Sequence, residues 1–350
     1  MATVAGLGEG FPDQRYSQEE ILGALAMIWP GSPEEFARTR RIHLRAGVEG
    51  RYLALPIESY LKRYTWGESN RTWSRVGEVI GEKALRAAIA SSGVAPSEID
   101  ALVFVTVTGL STPSLDARMV ERVGLSPNVK RIPIFGLGCV AGASALARCG
   151  DLARSHPGGA VALLSVELCS LTFQVDDRSG ANVVATAIFG DGAAAAVVTG
   201  RERSATGPRI VGARSILYPD TGNLMGWEIS EEGFKLVLSP EIPALIGKQL
   251  PRDIDAFLGD HGLRRDDVKA WIAHTGGPRI FSAIREALDL PDGALQITRD
   301  QLAATGNVSS ASVLLVLKRL MDTQPPPPGS HGLMLAMGPG FCSELVLLQW

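Results

Sequence analysis

The stretch 135-FGLGCVAGAS-144 joins the end of an apolar run to a series of small residues through two glycines and a cysteine. It reads as a strand that ends in a turn, with Cys139 opening a helix that Ala141, Gly142, Ala143 and Ser144 keep slim enough for close packing. The same alternation recurs on both sides. Ala101 to Val107, Val129 to Phe135 and Ala160 to Val166 are short apolar, β-branched runs, each followed by a small-residue or amphipathic segment. That rhythm predicts an α/β sheet. Gly190-Asp191-Gly192 before Ala193 to Val198, and Gly338-Pro339-Gly340 before Glu344 to Leu348, each read as a tight turn feeding a buried strand. Two such halves predict a duplicated architecture with a seam near Arg201 to Gly207. A helix is expected over about Glu241 to Leu258, kinked or split at Pro251. The segment Pro325 to Gly329 reads as a surface connection between a helix ending near Met321 and the last hairpin.

Composition narrows the function. With 350 residues, 45% of them hydrophobic, the chain can bury a large core, and one compact unit of two subdomains is expected. A net charge of -3 argues against a general nucleic-acid binder, so any anionic ligand must meet a local basic patch. The four cysteines form no close pair and no CxxC, which argues against a disulfide framework or zinc knuckle and suits a reduced cytoplasm. No basic leader precedes an apolar run, and no apolar segment approaches the roughly 18 residues that span a bilayer, so neither export nor membrane insertion is expected. Cys149, Cys169 and Cys342 lie in helix or strand patterns and read as small buried hydrophobes.

Cys139 differs, because backbone N–H groups at a helix start favour a thiolate and lower such thiols from about 8.5 towards the 3.5 to 7.5 range. In 269-KAWIAHTGGPRI-280 a strand delivers His274 onto a Gly-Gly turn. His156-Pro157-Gly158-Gly159 looks similar, but it lies between an amphipathic helix and a strand, where a polar turn explains it. His43, His261 and His331 lack such surroundings and read as surface residues. In 305-TGNVSSAS-312, Asn307 stands before an apolar helix. Taken alone, each has an ordinary reading: a buried thiol, a turn histidine, a helix N-cap. Together they supply a nucleophile and two neutral donors for a developing oxyanion. A carboxylate in the third place would make a base-activated hydrolase, and no equivalent motif carries one. Arg38, Arg41 and Arg45, three and four apart, would share one helix face, as either a solvated stripe or a basic patch.

Five segments, FGLGCVAGAS, 187-AIFGDGAAAAVV-198, 271-WIAHTGGPRI-280, TGNVSSAS and 337-MGPG-340, resemble the chalcone and stilbene synthase family of type III polyketide synthases. The resemblance implies the thiolase fold, a duplicated five-layer αβαβα arrangement with halves over 1–205 and 206–350. It implies a cytoplasmic homodimer that uses coenzyme A thioesters as substrates and needs no cofactor or metal. By the same resemblance Cys139 carries the acyl chain, while His274 keeps its thiolate charged and, with Asn307, binds the malonyl-coenzyme A thioester oxygen during loss of carbon dioxide. Phe189 matches a gatekeeper, and Arg38, Arg41, Arg45 and Ser309 match coenzyme A positions. Leu236, Trp227, Thr108, Thr112 and Met337 fall at pocket positions where this chain departs from plant members, Thr112 at one reaching across the dimer. TGLSTPSLDA, residues 108–117, resembles the bacterial alkylresorcinol and alkylpyrone branch, which implies a long-chain fatty acyl starter. The alternatives are a malonyl or aromatic starter, or an initiating ketosynthase, whose histidine segment is HQAN-like rather than HTGGP.

Overall fold

The computed structural model describes residues 1–350. In the first half, β1 (Ala2–Gly10), β2 (Gln14–Ser17), α1 (Gln18–Ile28), α2 (Pro33–Leu44) and β3 (Gly50–Leu53) lead into α3 (Trp66–Ser92). There follow β4 (Ala101–Thr106), α4 (Leu115–Val123), β5 (Lys130–Phe135), α5 (Ala141–Ser155), β6 (Ala160–Leu168), α6 (Gly180–Ile188) and β7 (Asp191–Thr199). The second half holds β8 (Arg209–Leu217), β9 (Met225–Ser230), β10 (Gly233–Leu238), α7 (Ile242–Gly259) and β11 (Val268–Ala273). It ends with α8 (Pro278–Leu288), α9 (Gln296–Thr305), α10 (Ser312–Thr323), β12 (His331–Gly338) and β13 (Cys342–Gln349).

Nine strands form one sheet in the order β11-β12-β13-β8-β1-β7-β6-β4-β5. The duplication is visible in the pairing. From β1 through β7 and β6 to β4 the pairs run antiparallel, antiparallel, parallel, and from β8 through β13 and β12 to β11 they do so again. Within the sheet the halves join where Ala2 lies opposite Ile210 and Thr3 opposite Arg209.

Strand alternation builds the layers. Along β4, Ala101, Val103 and Val105 face a central apolar cluster while Leu102 and Phe104 face an outer one. On β12, Met334 and Ala336 point to that same centre and Leu333, Leu335 and Met337 point outward on the second side. The centre is filled by α5 and α10, the first outer layer by α3 and α4, and the second by α7 and α8. Five layers result, αβαβα. The small residues of α5 have the purpose read from them: a Cβ on Gly142 would lie 2.1 Å from the Ser310 carbonyl oxygen, so the central layer closes only around glycine.

Three expectations need correction. Helix α7 runs unbroken through Pro251, because the residue four before it, Gly247, is exposed and water can take the carbonyl that proline leaves unpaired. Gly190-Asp191-Gly192 is not a tight turn but extended chain entering β7, whereas Pro339 to Phe341 does form the hairpin turn between β12 and β13. His43 is not a surface residue: it is 1% exposed, with Nε2 3.2 Å from the Thr186 hydroxyl, because helix α2 lays that face on α6.

Candidate active site

Cys139 occupies the middle of a 3-10 turn, Gly138–Val140, immediately before α5. Gly138 has φ +55° and a Cβ there would strike Pro339 at 2.6 Å, so glycine alone lets the β12–β13 hairpin close on the thiol turn. From the other side a second 3-10 turn, Ser309–Ala311, brings the Ser309 hydroxyl to 3.7 Å from the Cys139 sulfur. Ser309 itself has φ +44°, a conformation costing a serine about 1–2 kcal/mol, held here with only 2% of the residue exposed. The structure thus puts Ser309 beside the reacting thiol.

Asn307 is clamped by its backbone. Its N–H donates to the Ile188 carbonyl at 2.7 Å, and its own carbonyl accepts from Gly190 N–H at 3.0 Å, which pairs it with Phe189. Its Oδ1 accepts from Ser309 N–H at 2.9 Å and from the Ser312 hydroxyl at 3.3 Å. Oδ1 is thus committed to the chain, as in a cap, while the Nδ2 donors are not.

His274 extends β11, its N–H donating to the Leu335 carbonyl at 2.9 Å, before Gly277 turns the chain at φ +104° into α8. The residue is 8% exposed, and Nδ1 is buried without a partner. Strand β12 ties this element to the thiol turn, since a Cβ on Gly338 would lie 2.7 Å from the Leu137 carbonyl oxygen.

Burial sets the charge states. It pushes the Cys139 thiol up to about 12, a rise that the Ser309 hydroxyl moderates and the Glu167 carboxylate adds to. It pulls the His274 imidazole down to about 4. Burial of the sulfur therefore works against the thiolate that the helix start favours. Burial thus favours the uncharged form of both groups.

Several contributors escaped the sequence reading. Glu167, fully buried on β6, accepts from Val107 N–H at 3.1 Å, the Thr108 hydroxyl at 2.7 Å and the Ser310 hydroxyl, and burial raises it to about 7. The signal was an acid inside an apolar strand. Thr108 is therefore turned to Glu167 with its hydroxyl already spent. Arg51, 1% exposed, donates to the Phe189 carbonyl at 2.9 Å and to Gln18 Oε1 at 2.6 Å. Asp191, the acid of the GDG segment, accepts from Ala54 N–H at 2.6 Å and Ser170 N–H at 2.8 Å. These bonds hold Phe189 and Gly190 extended, the conformation that pins Asn307.

Against Phe189 lies an apolar pocket, with 13 hydrophobic residues among its 18 lining residues. Phe189, Trp227 and Leu236 border it, as does Cys169. Cys139, His274 and Asn307 line neither this cavity nor a more polar groove that Thr108 borders. Met337 is packed in the outer core of the second half, since strand alternation puts it on the face of Leu333 and Leu335, and Thr112 is exposed. Arg38, Arg41 and Arg45 lie exposed along α2, with no acidic side chain in ion-pairing reach.

Comparison with known proteins agrees with this arrangement. The family model for the N-terminal domain of chalcone and stilbene synthases matches residues 1–202, and that for the C-terminal domain matches 209–350. A 1,3,6,8-tetrahydroxynaphthalene synthase of Streptomyces peucetius subsp. caesius is 46% identical over 99% of this chain and 93% of its own. A putative chalcone synthase of Bacillus subtilis is 33% identical over 100% of this chain and 99% of its own. The crystal structure of 1,3,6,8-tetrahydroxynaphthalene synthase from Streptomyces coelicolor, a bacterial type III polyketide synthase, superposes with a TM-score of 0.94 at 30% identity over 99% of both chains. With the thiolase fold and the thiol, imidazole and amide segments in place, the chain belongs to the chalcone and stilbene synthase family: it is a type III polyketide synthase, a decarboxylating, condensing acyltransferase.

Proposed function

We propose that this synthase loads a long-chain fatty acyl group from coenzyme A onto Cys139, extends it with malonyl-coenzyme A and closes the product to an alkylpyrone or alkylresorcinol. The observation that carries the reading is the apolar cavity abutting Phe189, whose backbone is paired to Asn307. In loading, neutral His274 takes the thiol proton as the sulfur attacks the starter thioester, and that proton leaves with the coenzyme A thiol. Malonyl-coenzyme A then binds with its thioester oxygen facing the His274 N–H and the Asn307 Nδ2. As carbon dioxide departs, the electron pair of the broken bond moves into an enolate whose oxygen those two donors stabilise, at about 3–4 kcal/mol per preorganised donor. The enolate carbon attacks the Cys139 thioester, a carbon–carbon bond forms, and the cysteine sulfur leaves. A histidine held neutral by burial has the free ring nitrogen that taking the thiol proton requires.

Arg38, Arg41 and Arg45 supply unpaired guanidinium groups for the phosphates of coenzyme A. The working unit is proposed to be a cytoplasmic homodimer, in which exposed Thr112 faces the neighbouring subunit, and no cofactor or metal takes part. A second reading is favoured by the 46% identical relative. Its named product carries hydroxyls on alternating carbons and no alkyl substituent, the pattern of a chain built from malonyl units alone. Incubation with labelled malonyl-coenzyme A, with and without a panel of acyl-coenzyme A starters, separates the two by product mass. Alkyl-bearing products with carbon dioxide release support the first reading. A hydroxylated aromatic from malonyl-coenzyme A alone, with every fatty starter ignored, supports the second. Free starter acid as the sole product would overturn both.

A further inference from the structure

Helix α1 presents Ile21, Ala24, Leu25 and Ile28 at a spacing that marks a single helical face. Such a face is ordinarily filled by the core. Here Ile21, Ala24 and Leu25 are at most 8% exposed, yet none of the four belongs to any of the molecule's three core clusters. They line the cavity instead, together with Phe189 and Trp227. The helix is also fixed at both ends. Ser17 and Glu20 close a capping box at its start, Gln18 Nε2 donates to the carbonyls of His43 and Ala187 at 3.1 and 2.9 Å, and Trp29 Nε1 donates to the Val175 carbonyl at 2.6 Å. An apolar wall about 10 Å long, at about 1.5 Å per residue, thus stands rigid beside an unfilled space. The one charge in that space offers nothing to an anion: both terminal nitrogens of Arg51 are engaged, and Asp191 offsets its charge.

We propose that this face of α1 is the surface that measures the starter's alkyl chain, with Ala24 as its length-determining residue. The proposal rests on the fatty acyl reading above. The starter carbonyl lies towards Phe189 and the tail runs along α1 towards Ile28, so bulk added at Ala24 blocks the path and bulk removed at Ile28 extends it.

The test is kcat/KM for saturated acyl-coenzyme A starters from butyryl to stearoyl with malonyl-coenzyme A, for the wild type, Ala24→Phe and Ile28→Ala. In the wild type kcat/KM should rise about fourfold per added methylene until the chain fills the cavity, then level or fall. Ala24→Phe should move that break several carbons shorter and Ile28→Ala should move it longer. Each break is a ratio within one protein, so partial misfolding cannot imitate it, and opposite shifts cannot share a structural cause. Breaks that stay at the wild-type length in both variants overturn the role of α1 while leaving the fatty starter intact. A wild type that rejects all fatty starters overturns the starter reading and the α1 proposal together.

Discussion

Replacing Asn307 by aspartate tests the division of labour at the centre of the mechanism. Asn307 Oδ1 accepts from Ser309 N–H and the Ser312 hydroxyl, and an aspartate oxygen can keep both bonds, so the fold around the thiol should survive. The uncommitted Nδ2 becomes a second carboxylate oxygen, and an attraction for the developing enolate oxygen turns into repulsion. Loss of one oxyanion donor is worth about 100- to 1000-fold in rate, roughly 3–4 kcal/mol, and the added charge can only increase the deficit. The assay should be run near pH 8, because burial raises the carboxyl of Asp191 in this chain to about 6, and an introduced carboxyl raised to a similar degree would still be ionised there. Release of labelled carbon dioxide from malonyl-coenzyme A should fall at least 100-fold, while single-turnover acylation of Cys139, followed by intact mass, should change less than about tenfold. Decarboxylation within a few-fold of the wild type, or an equal loss in both steps, would refute the assignment of Asn307 as the enolate donor.

Because burial holds the Cys139 thiol near 12, its alkylation by iodoacetamide in the free enzyme should accelerate about tenfold per pH unit from pH 7 to 10; a plateau below pH 8 would reveal a standing thiolate. Glu167 adds to that rise, so Glu167→Gln, which keeps the side-chain shape and one acceptor, should shift the alkylation profile to lower pH, and an unmoved profile would sever Glu167 from the thiol. His274 and His43 are held neutral down to about 4 and about 3. Their folded values lie below the unfolded value of about 6.5, so the unfolded chain binds the extra protons and stability falls as pH drops from 6.5 towards 4, by up to about 1.4 kcal/mol per pH unit for each histidine. Denaturant midpoints across that window should decline less steeply in His43→Gln than in the wild type, and parallel declines would place the acid sensitivity elsewhere.

Much of the site was legible before any fold was known, because its demands on the chain are local. A turn that passes Pro339 without a Cβ, a helix that must approach a backbone carbonyl, and a histidine at a strand end leave glycines and small residues at fixed offsets. Those offsets single out Cys139, His274 and Asn307, just as short apolar, β-branched runs mark the strands. The split expected at Pro251 and the tight turn expected at Gly190 failed for the converse reason. Local propensity does not reveal that Gly247 faces water, or that Arg51 and Asp191 hold residues 189–190 extended.

What the amino-acid order determined alone was the sheet class, the duplication and the three reactive segments, since each rests on neighbours a few residues apart. The tertiary structure decided the rest. Whether a thiol is charged depends on how much chain from elsewhere excludes water around it, and here that exclusion works against the expectation from the helix start. Whether an apolar helix face meets core or empty space depends on what lies opposite, which is why the i, i+3, i+4, i+7 pattern of α1 could signal burial but not the cavity it borders.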